Sequence, residues 1–258
     1  MARHIPRRRF GQHFLVDEAV IEAIVAAIAP QRGDRMVEIG PGLGALTQPL
    51  LARLDHLHAV EIDRDIAARL RRDFPAERLS LHEADALDFD FAALGPGLRV
   101  VGNLPYNIST PLLFHLAESA AAIRDIHGML QKEVVERMIA APGAPDYGRL
   151  SVMLQARFEI EYLLPVPASA FRPAPQVESA VVRMVPRPMQ VRCDETLFAK
   201  IVRTAFMQRR KTLRNALRTY LAEPDFRALA IDAEARAQAL AVDDFVRITN
   251  YVAARESA

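Results

Sequence analysis

The sequence predicts an α/β protein in which helices wrap a mostly parallel sheet, followed by a small all-helical domain. Three observations lead there. Short β-branched runs alternate with helical patterns up to residue 186, glycine- or acid-bearing turns close several of those runs, and the pattern beyond Pro186-Arg187-Pro188 is wholly helical.

The elements follow in order. Asp17 is placed to cap a helix whose apolar face is Ile21, Ile24, Val25 and Ile28, and Pro30 and Gly33 end it. Strands are expected at Met36–Ile39, His58–Ile62, Leu79–Leu81 and Arg99–Val101, with helices around Leu46–Leu54 and Ile66–Phe74 between them. A helix is expected after Pro111, a strand at Ile126–Leu130, and a helix through Lys132–Ile139, with Pro142–Pro145 as a loop. Glu159–Val166 and Ala180–Val185 read as two further strands around the proline-rich Phe171–Pro175. Two prolines in three residues make Pro186-Arg187-Pro188 a linker, because proline suits neither a helix interior nor a central strand. Beyond it, Leu213, Leu217 and Leu221 fall on one helical face. The expected domains are 1–186 and 187–258.

Composition removes several classes of function. With 258 residues the chain is long enough for one α/β core and an appended domain. The single cysteine, Cys193, leaves no intrachain disulfide framework and no cysteine-based zinc cluster. No apolar run approaches the roughly 20 residues of a membrane span, and the basic N-terminus lacks the apolar core of a secretory signal. A cytoplasmic protein is expected. Charge is balanced overall but not locally: residues 1–186 carry 20 basic and 23 acidic side chains, and residues 187–258 carry 13 and 9.

Glu38-Ile39-Gly40-Pro41-Gly42-Leu43-Gly44 closes the first long strand and leads into a helix. Glycines there let the backbone turn tightly and approach a ligand. The spacing is G-x-G-x-G, not the G-x-G-x-x-G of a dinucleotide loop. Glu61, 17 residues past Gly44, ends the next strand and can accept hydrogen bonds from both hydroxyls of a ribose. Asp85 follows the third strand, where it can accept from the amine of an adenine. Each has an ordinary explanation as a turn or a surface acid. Together they favour an adenosyl ligand, without choosing between NAD and S-adenosylmethionine.

Asn103-Leu104-Pro105-Tyr106 makes that choice. The N6 amine of adenine is a poor nucleophile because its lone pair is delocalised into the ring. An Asn side-chain oxygen and a backbone carbonyl at Leu104 or Pro105 can each accept one N6 hydrogen bond. Two such acceptors favour a tetrahedral nitrogen, whose lone pair can attack a sulfonium methyl in line. Pro105 fixes the turn, and Tyr106 offers a face for the target base.

These residues resemble the ribosomal RNA adenine dimethyltransferase family. The likeness is carried by Phe10–Leu15, Val37–Gly44, Gly102–Thr110, Leu130–Val134, Tyr147–Ser151, Phe171–Ser179 and Gln208–Asn215. It implies a seven-stranded Rossmann-like class I methyltransferase sheet with S-adenosyl-L-methionine as cofactor. It also implies cofactor contacts at His13, Leu15, Gly40, Gly42, Glu61, Asp85 and Asn103, although the family often has Asn at the position of His13. Phe171 matches the family residue that stacks on the flipped adenine opposite Tyr106. The bacterial small-subunit members dimethylate two adjacent adenosines in the 3′-terminal hairpin loop of 16S rRNA. An immature small ribosomal subunit is therefore the expected partner, with the protein acting as a monomer. A ribosome-assembly scaffold and a large-subunit adenine methylase are the alternatives.

Between Glu195 and Glu223 there are no acids, but there are Lys200, Arg203, Arg209, Arg210, Lys211, Arg214 and Arg218. Arg203, Arg210, Arg214 and Arg218 are expected on one helical face. Together with Arg7, Arg8 and Arg9 they are expected to contact RNA phosphates, the residues beyond 186 forming an RNA-binding domain. The seven histidines show no metal-ligand spacing, and no metal is expected.

Overall fold

A computed structural model describes residues 12–187 and 194–256 of the chain. The order begins β1 (Phe14–Leu15), α1 (Glu18–Ile28), β2 (Met36–Ile39), α2 (Thr47–Leu51), β3 (Leu57–Glu61), α3 (Arg64–Asp73) and β4 (Leu79–Glu83). It continues with β5 (Leu98–Asn103), α4 (Ser109–Glu118), β6 (Ile123–Gln131), α5 (Lys132–Ile139), α6 (Arg149–Gln155) and β7 (Phe158–Val166). The last elements are β8 (Phe171–Arg172), β9 (Ser179–Pro186), α7 (Glu195–Met207), α8 (Leu213–Ala216), α9 (Glu223–Ala228) and α10 (Val242–Glu256).

Seven strands form one sheet in the order β4-β3-β2-β5-β6-β9-β7. Strands β2 to β6 pair in parallel, and β9 pairs antiparallel with β6. The seven-stranded expectation holds. β2 is buried along its whole length, as a parallel strand covered on both faces must be. Asp17 caps α1 by accepting from the Val20 amide at 3.1 Å, and Ile24, Val25 and Ile28 turn into the core. The helix stops at Ala29 in the left-handed region, just before Pro30. Pro111 lies in the first turn of α4, where its missing amide hydrogen costs nothing. The helix thus starts earlier than the proline alone suggests.

A buried ionic clamp joins the amino-terminal ends of β5 and β6 to the end of α1. The Arg99 guanidinium donates to Asp125 at 2.9 Å, to Asp34 at 2.6 Å and to the Ile28 carbonyl at 2.7 Å. It lies at the end of the sheet opposite the glycine loop.

Contacts divide the chain into two compact units, 1–135 with 159–186 and 136–158 with 187–258. The stretch 136–158, placed with the sheet by the linear boundary at 186, groups with the carboxyl-terminal helices. The second unit has its own core, including Phe198, Ile201, Leu213, Leu217, Phe226 and Phe245. Within it the buried Tyr147 hydroxyl donates to the Leu240 carbonyl at 2.9 Å.

Candidate active site

The site forms where the sheet changes direction. β3 and β4 lie on one side of β2, while β5 lies on the other. The carboxyl ends of β2 and β5 therefore open into a crevice, the place where open α/β sheets bind ligands. Gly102 lets the two strands meet closely: a Cβ there would lie 2.3 Å from the Ile39 carbonyl oxygen. A cavity of ≈ 320 Å³ occupies the crevice.

Its lining gathers the residues that the sequence singled out: His13, Leu15, Gly40, Gly42, Glu61, Asp85 and the Asn103–Tyr106 turn. The Gly40 amide donates to the Val60 carbonyl at 3.0 Å, tying the loop to β3. Gly42 has φ +55°, and a Cβ on it would come within 3.2 Å of the Phe14 ring, so the loop needs glycine there. At the end of β3, Glu61 accepts from the Asp63 amide at 2.8 Å and from the Gly42 amide at 3.4 Å. Burial raises its pKa against the pull of those amides. Asp85 accepts from the Leu87 amide at 2.9 Å.

Glu38, not picked out as a ligand from the sequence, also faces this cavity. Its carboxylate accepts from the Thr47 hydroxyl at 2.6 Å. Burial, opposed by that hydroxyl and reinforced by the charge of Glu61, pushes its pKa up to about 7. The only hint in the sequence was an acid two residues before Gly40 on an otherwise apolar strand.

Three carboxylate side chains, Glu38, Glu61 and Asp85, line the cavity, with no lysine or arginine beside them among the described residues. That set matches a ligand carrying positive charge. It does not suit a pyrophosphate, which needs donors and cations. The residues fit a sulfonium nucleoside and argue against NAD.

Asn103 lies at the end of β5, and its side-chain nitrogen donates to the His13 carbonyl at 2.9 Å. A carbonyl can only accept, so this bond fixes which way the amide faces. The Asn103 Oδ1 is left as an acceptor without a protein partner among the described residues. In the turn that follows, the Pro105 carbonyl already accepts from the Ile108 amide at 3.2 Å, while the Leu104 carbonyl accepts no bond among the described residues. The Tyr106 hydroxyl shares a 2.5 Å hydrogen bond with the Ser179 hydroxyl, and burial raises its pKa, keeping it a neutral phenol. The Tyr106 ring stacks on the His13 ring at 5.7 Å between centroids, with 24° between planes.

Phe171, which the resemblance matches to a residue that stacks on the target base, is 0% exposed and belongs to the core of the sheet-bearing unit. The reason is strand pairing. β8 runs antiparallel to β1 with Phe171 opposite Leu15, and the alternation of a strand turns Phe171 inward while Arg172 faces out.

The model of the ribosomal RNA adenine dimethylase family matches residues 3–254. The chain belongs to that family. It is therefore an S-adenosylmethionine-dependent rRNA adenine dimethyltransferase. A ribosomal RNA small subunit methyltransferase A of Thiobacillus denitrificans is 63% identical over 254 residues, covering 98% of this chain and 100% of that one. The protein of the same name from Nitrosospira multiformis is 62% identical, covering 96% and 97%. Among solved structures, a dimethyladenosine transferase from Plasmodium falciparum shares the fold with a TM-score of 0.84 at 23% identity, covering 95% of this chain and 98% of that one. The 23S rRNA methyltransferase ErmE does so with 0.70 at 24%, covering 93% and 99%.

The basic residues expected at the family's RNA substrate divide into three groups. Arg7, Arg8 and Arg9 lie outside the described residues. The side chains of Arg203, Arg210, Lys211 and Arg218 are exposed and make no hydrogen bond or ion pair among the described residues. Arg214 is held by Glu223 at 3.0 Å and Glu234 at 2.6 Å, and Arg209 donates to the Pro145 and Tyr147 carbonyls. The single helical face expected for Arg203, Arg210, Arg214 and Arg218 does not form. α7 ends at Met207 and α8 spans only Leu213–Ala216. Among the described residues, no group of three or more His, Cys, Asp or Glu side chains could hold a metal ion.

Proposed function

We propose that the protein dimethylates N6 of two adjacent adenosines in the 3′-terminal hairpin loop of 16S rRNA, within an immature small ribosomal subunit. The observation that carries the residue roles is the amide of Asn103, turned by the His13 carbonyl so that its oxygen is free. Asn103 Oδ1 and the Leu104 carbonyl accept the two N6 hydrogens, with the Pro105 carbonyl already engaged. That geometry draws the nitrogen toward tetrahedral and directs its lone pair at the donor. S-adenosylmethionine supplies, when bound, an electrophilic sulfonium methyl. Glu61 holds the ribose and Asp85 the adenine amine of the cofactor, while His13, Leu15, Gly40 and Gly42 frame it. The methylated nitrogen is cationic and sheds its proton without a strong base, so no lysine or histidine is needed for that step.

The small subunit is favoured over the large one by the relatives named for it at 62–63% identity, whereas the likeness to ErmE is one of fold. The second unit is the RNA-binding domain in this reading, with Arg203, Arg210, Lys211 and Arg218 as phosphate contacts. The enzyme works as a monomer in the cytoplasm, where subunits are assembled. Mass spectrometry of small-subunit RNA from cells with and without the protein tests the assignment. Two adjacent dimethyladenosines lost on deletion support it, and unchanged small-subunit RNA contradicts it.

A further inference from the structure

Asp63 takes no part in the chemistry described so far, yet it is fully buried two residues past Glu61. Its ordinary role is to cap α3, and for that one carboxylate oxygen is enough. Oδ1 accepts from the Asp65 amide at 3.0 Å, and the Asp63 carbonyl accepts from the Ala67 amide at 2.9 Å. Its other two polar groups serve the cofactor cavity. The Asp63 amide donates to Glu61 Oε1 at 2.8 Å. Asp63 Oδ2 accepts from Gln12 Nε2 at 3.1 Å, across 51 residues of sequence. Gln12, His13, Phe14 and Leu15 are successive residues of the cavity wall, whereas Asp63 itself does not line it. One residue outside the cavity thus holds both Glu61 and the segment that forms a wall.

We propose that Asp63 and Gln12 are a positioning pair, whose bond fixes the 12–15 segment against the end of β3 so that the cofactor site is assembled before the cofactor arrives. The inference rests on the reading of Glu61 as the ribose contact and deepens it. Helix capping needs no partner 51 residues away, and a fully buried carboxylate is costly unless its second oxygen is also satisfied. β1 pairs with β8 only at Phe14 and Leu15, so Gln12 lies beyond that ladder, and the bond to Asp63 ties this end of the segment to the end of β3. A segment in place for only about a tenth of the time lowers apparent affinity about tenfold, although no contact with the cofactor itself is removed.

Substitutions separate the pair from the cap. Gln12→Leu removes the donor. Asp63→Ser keeps a capping oxygen but loses the one that Gln12 reaches. Gln12→Glu combined with Asp63→Asn rebuilds the bond with donor and acceptor exchanged. Calorimetry on the full chain gives the affinity for S-adenosylhomocysteine, and steady-state assays on immature small subunits give KM and kcat. Gln12→Leu and Asp63→Ser should each weaken binding about tenfold, and together no further than either alone. The KM for S-adenosylmethionine should rise by the same factor with kcat within about twofold, because binding lost equally from ground and transition states raises KM alone. Gln12→Glu alone should also bind weakly, and the exchanged pair should return to within about threefold of wild type. Wild-type affinity in both single variants, with only the melting temperature lowered, would reduce Asp63 to a helix cap and overturn the inference. Additive losses, an exchanged pair no better than Gln12→Glu, or a lower kcat at unchanged KM would overturn it as well. Glu61→Gln is titrated alongside: wild-type affinity in that variant would place the failure in the reading of the ribose site and not in the pair.

Discussion

Asn103 and Glu38 show how much a single side chain's surroundings add to its identity. The sequence placed Asn103 after a strand, and from the chemistry of a delocalised amine it was legible as an acceptor. What the sequence could not contain was the bond to the His13 carbonyl, 90 residues away, that decides which amide atom is left as a free acceptor. The burial of Phe171 was hidden for a related reason. A two-residue strand carries no visible periodicity, so nothing in the chain announced that pairing with β1 would bury the ring. Glu38 leads to a prediction about stability. Its folded pKa of about 7 lies above the ordinary carboxylate value because burial penalises the charge. Its carboxyl is therefore tolerated fully below about pH 4.5, and stability falls as pH rises through 7. Glu38→Gln should raise the melting temperature of the cofactor-free protein at pH 8, with the gain shrinking toward pH 5. Thermal unfolding at both pH values checks this. His58 titrates in the opposite sense: burial and the neighbouring His56, His82 and Arg35 lower its pKa to about 4. Its contribution is complete above pH 6.5 and declines as pH falls toward 4. Below pH 6, His58→Gln should lose less of its melting temperature than the wild type does.

At the scale of elements, the central strands were the most legible. A buried parallel strand reads as a short β-branched run, and β2 falls on the expected residues. β1, α6 and α8 were the least legible. Gln208–Thr212 contains no helix breaker, yet α7 stops before it. The amides of Leu213 and Arg214 instead donate to the Ala235 and Ala233 carbonyls, a tertiary demand that outweighs local propensity. The Arg99 clamp makes the strongest prediction here. Arg99→Leu leaves Asp34 and Asp125 buried without their common cation, at a cost of about 3–5 kcal/mol. Equilibrium denaturation measures it. A cost under about 1 kcal/mol would show that the clamp contributes little.

For the whole molecule, the alternation of strands and helices was enough to predict the sheet and its ligand crevice, because topology alone puts the loops after β2 and β5 side by side. The grouping of 136–158 with the carboxyl-terminal helices was hidden, since contacts distant in sequence decide it. The electrostatics of the second unit also needed the fold, which separates basic residues used by the structure from those left for a partner. Neutralising Arg210 and Lys211 together should weaken binding to small-subunit RNA and reduce the slope of log affinity against log salt by about 2. Arg214→Ala should instead lower thermal stability with little change in that slope, because Glu223 and Glu234 already hold the guanidinium. Binding titrations across a salt series distinguish the two.

Methylation by Asn103→Ala, quantified by mass spectrometry of immature small subunits incubated with S-adenosylmethionine, probes the amine-polarising geometry most directly. Removing one acceptor should slow transfer by about 10²-fold or more, while S-adenosylhomocysteine still binds. Dimethyladenosine formed at the wild-type rate by that variant would contradict the proposed role of the amide.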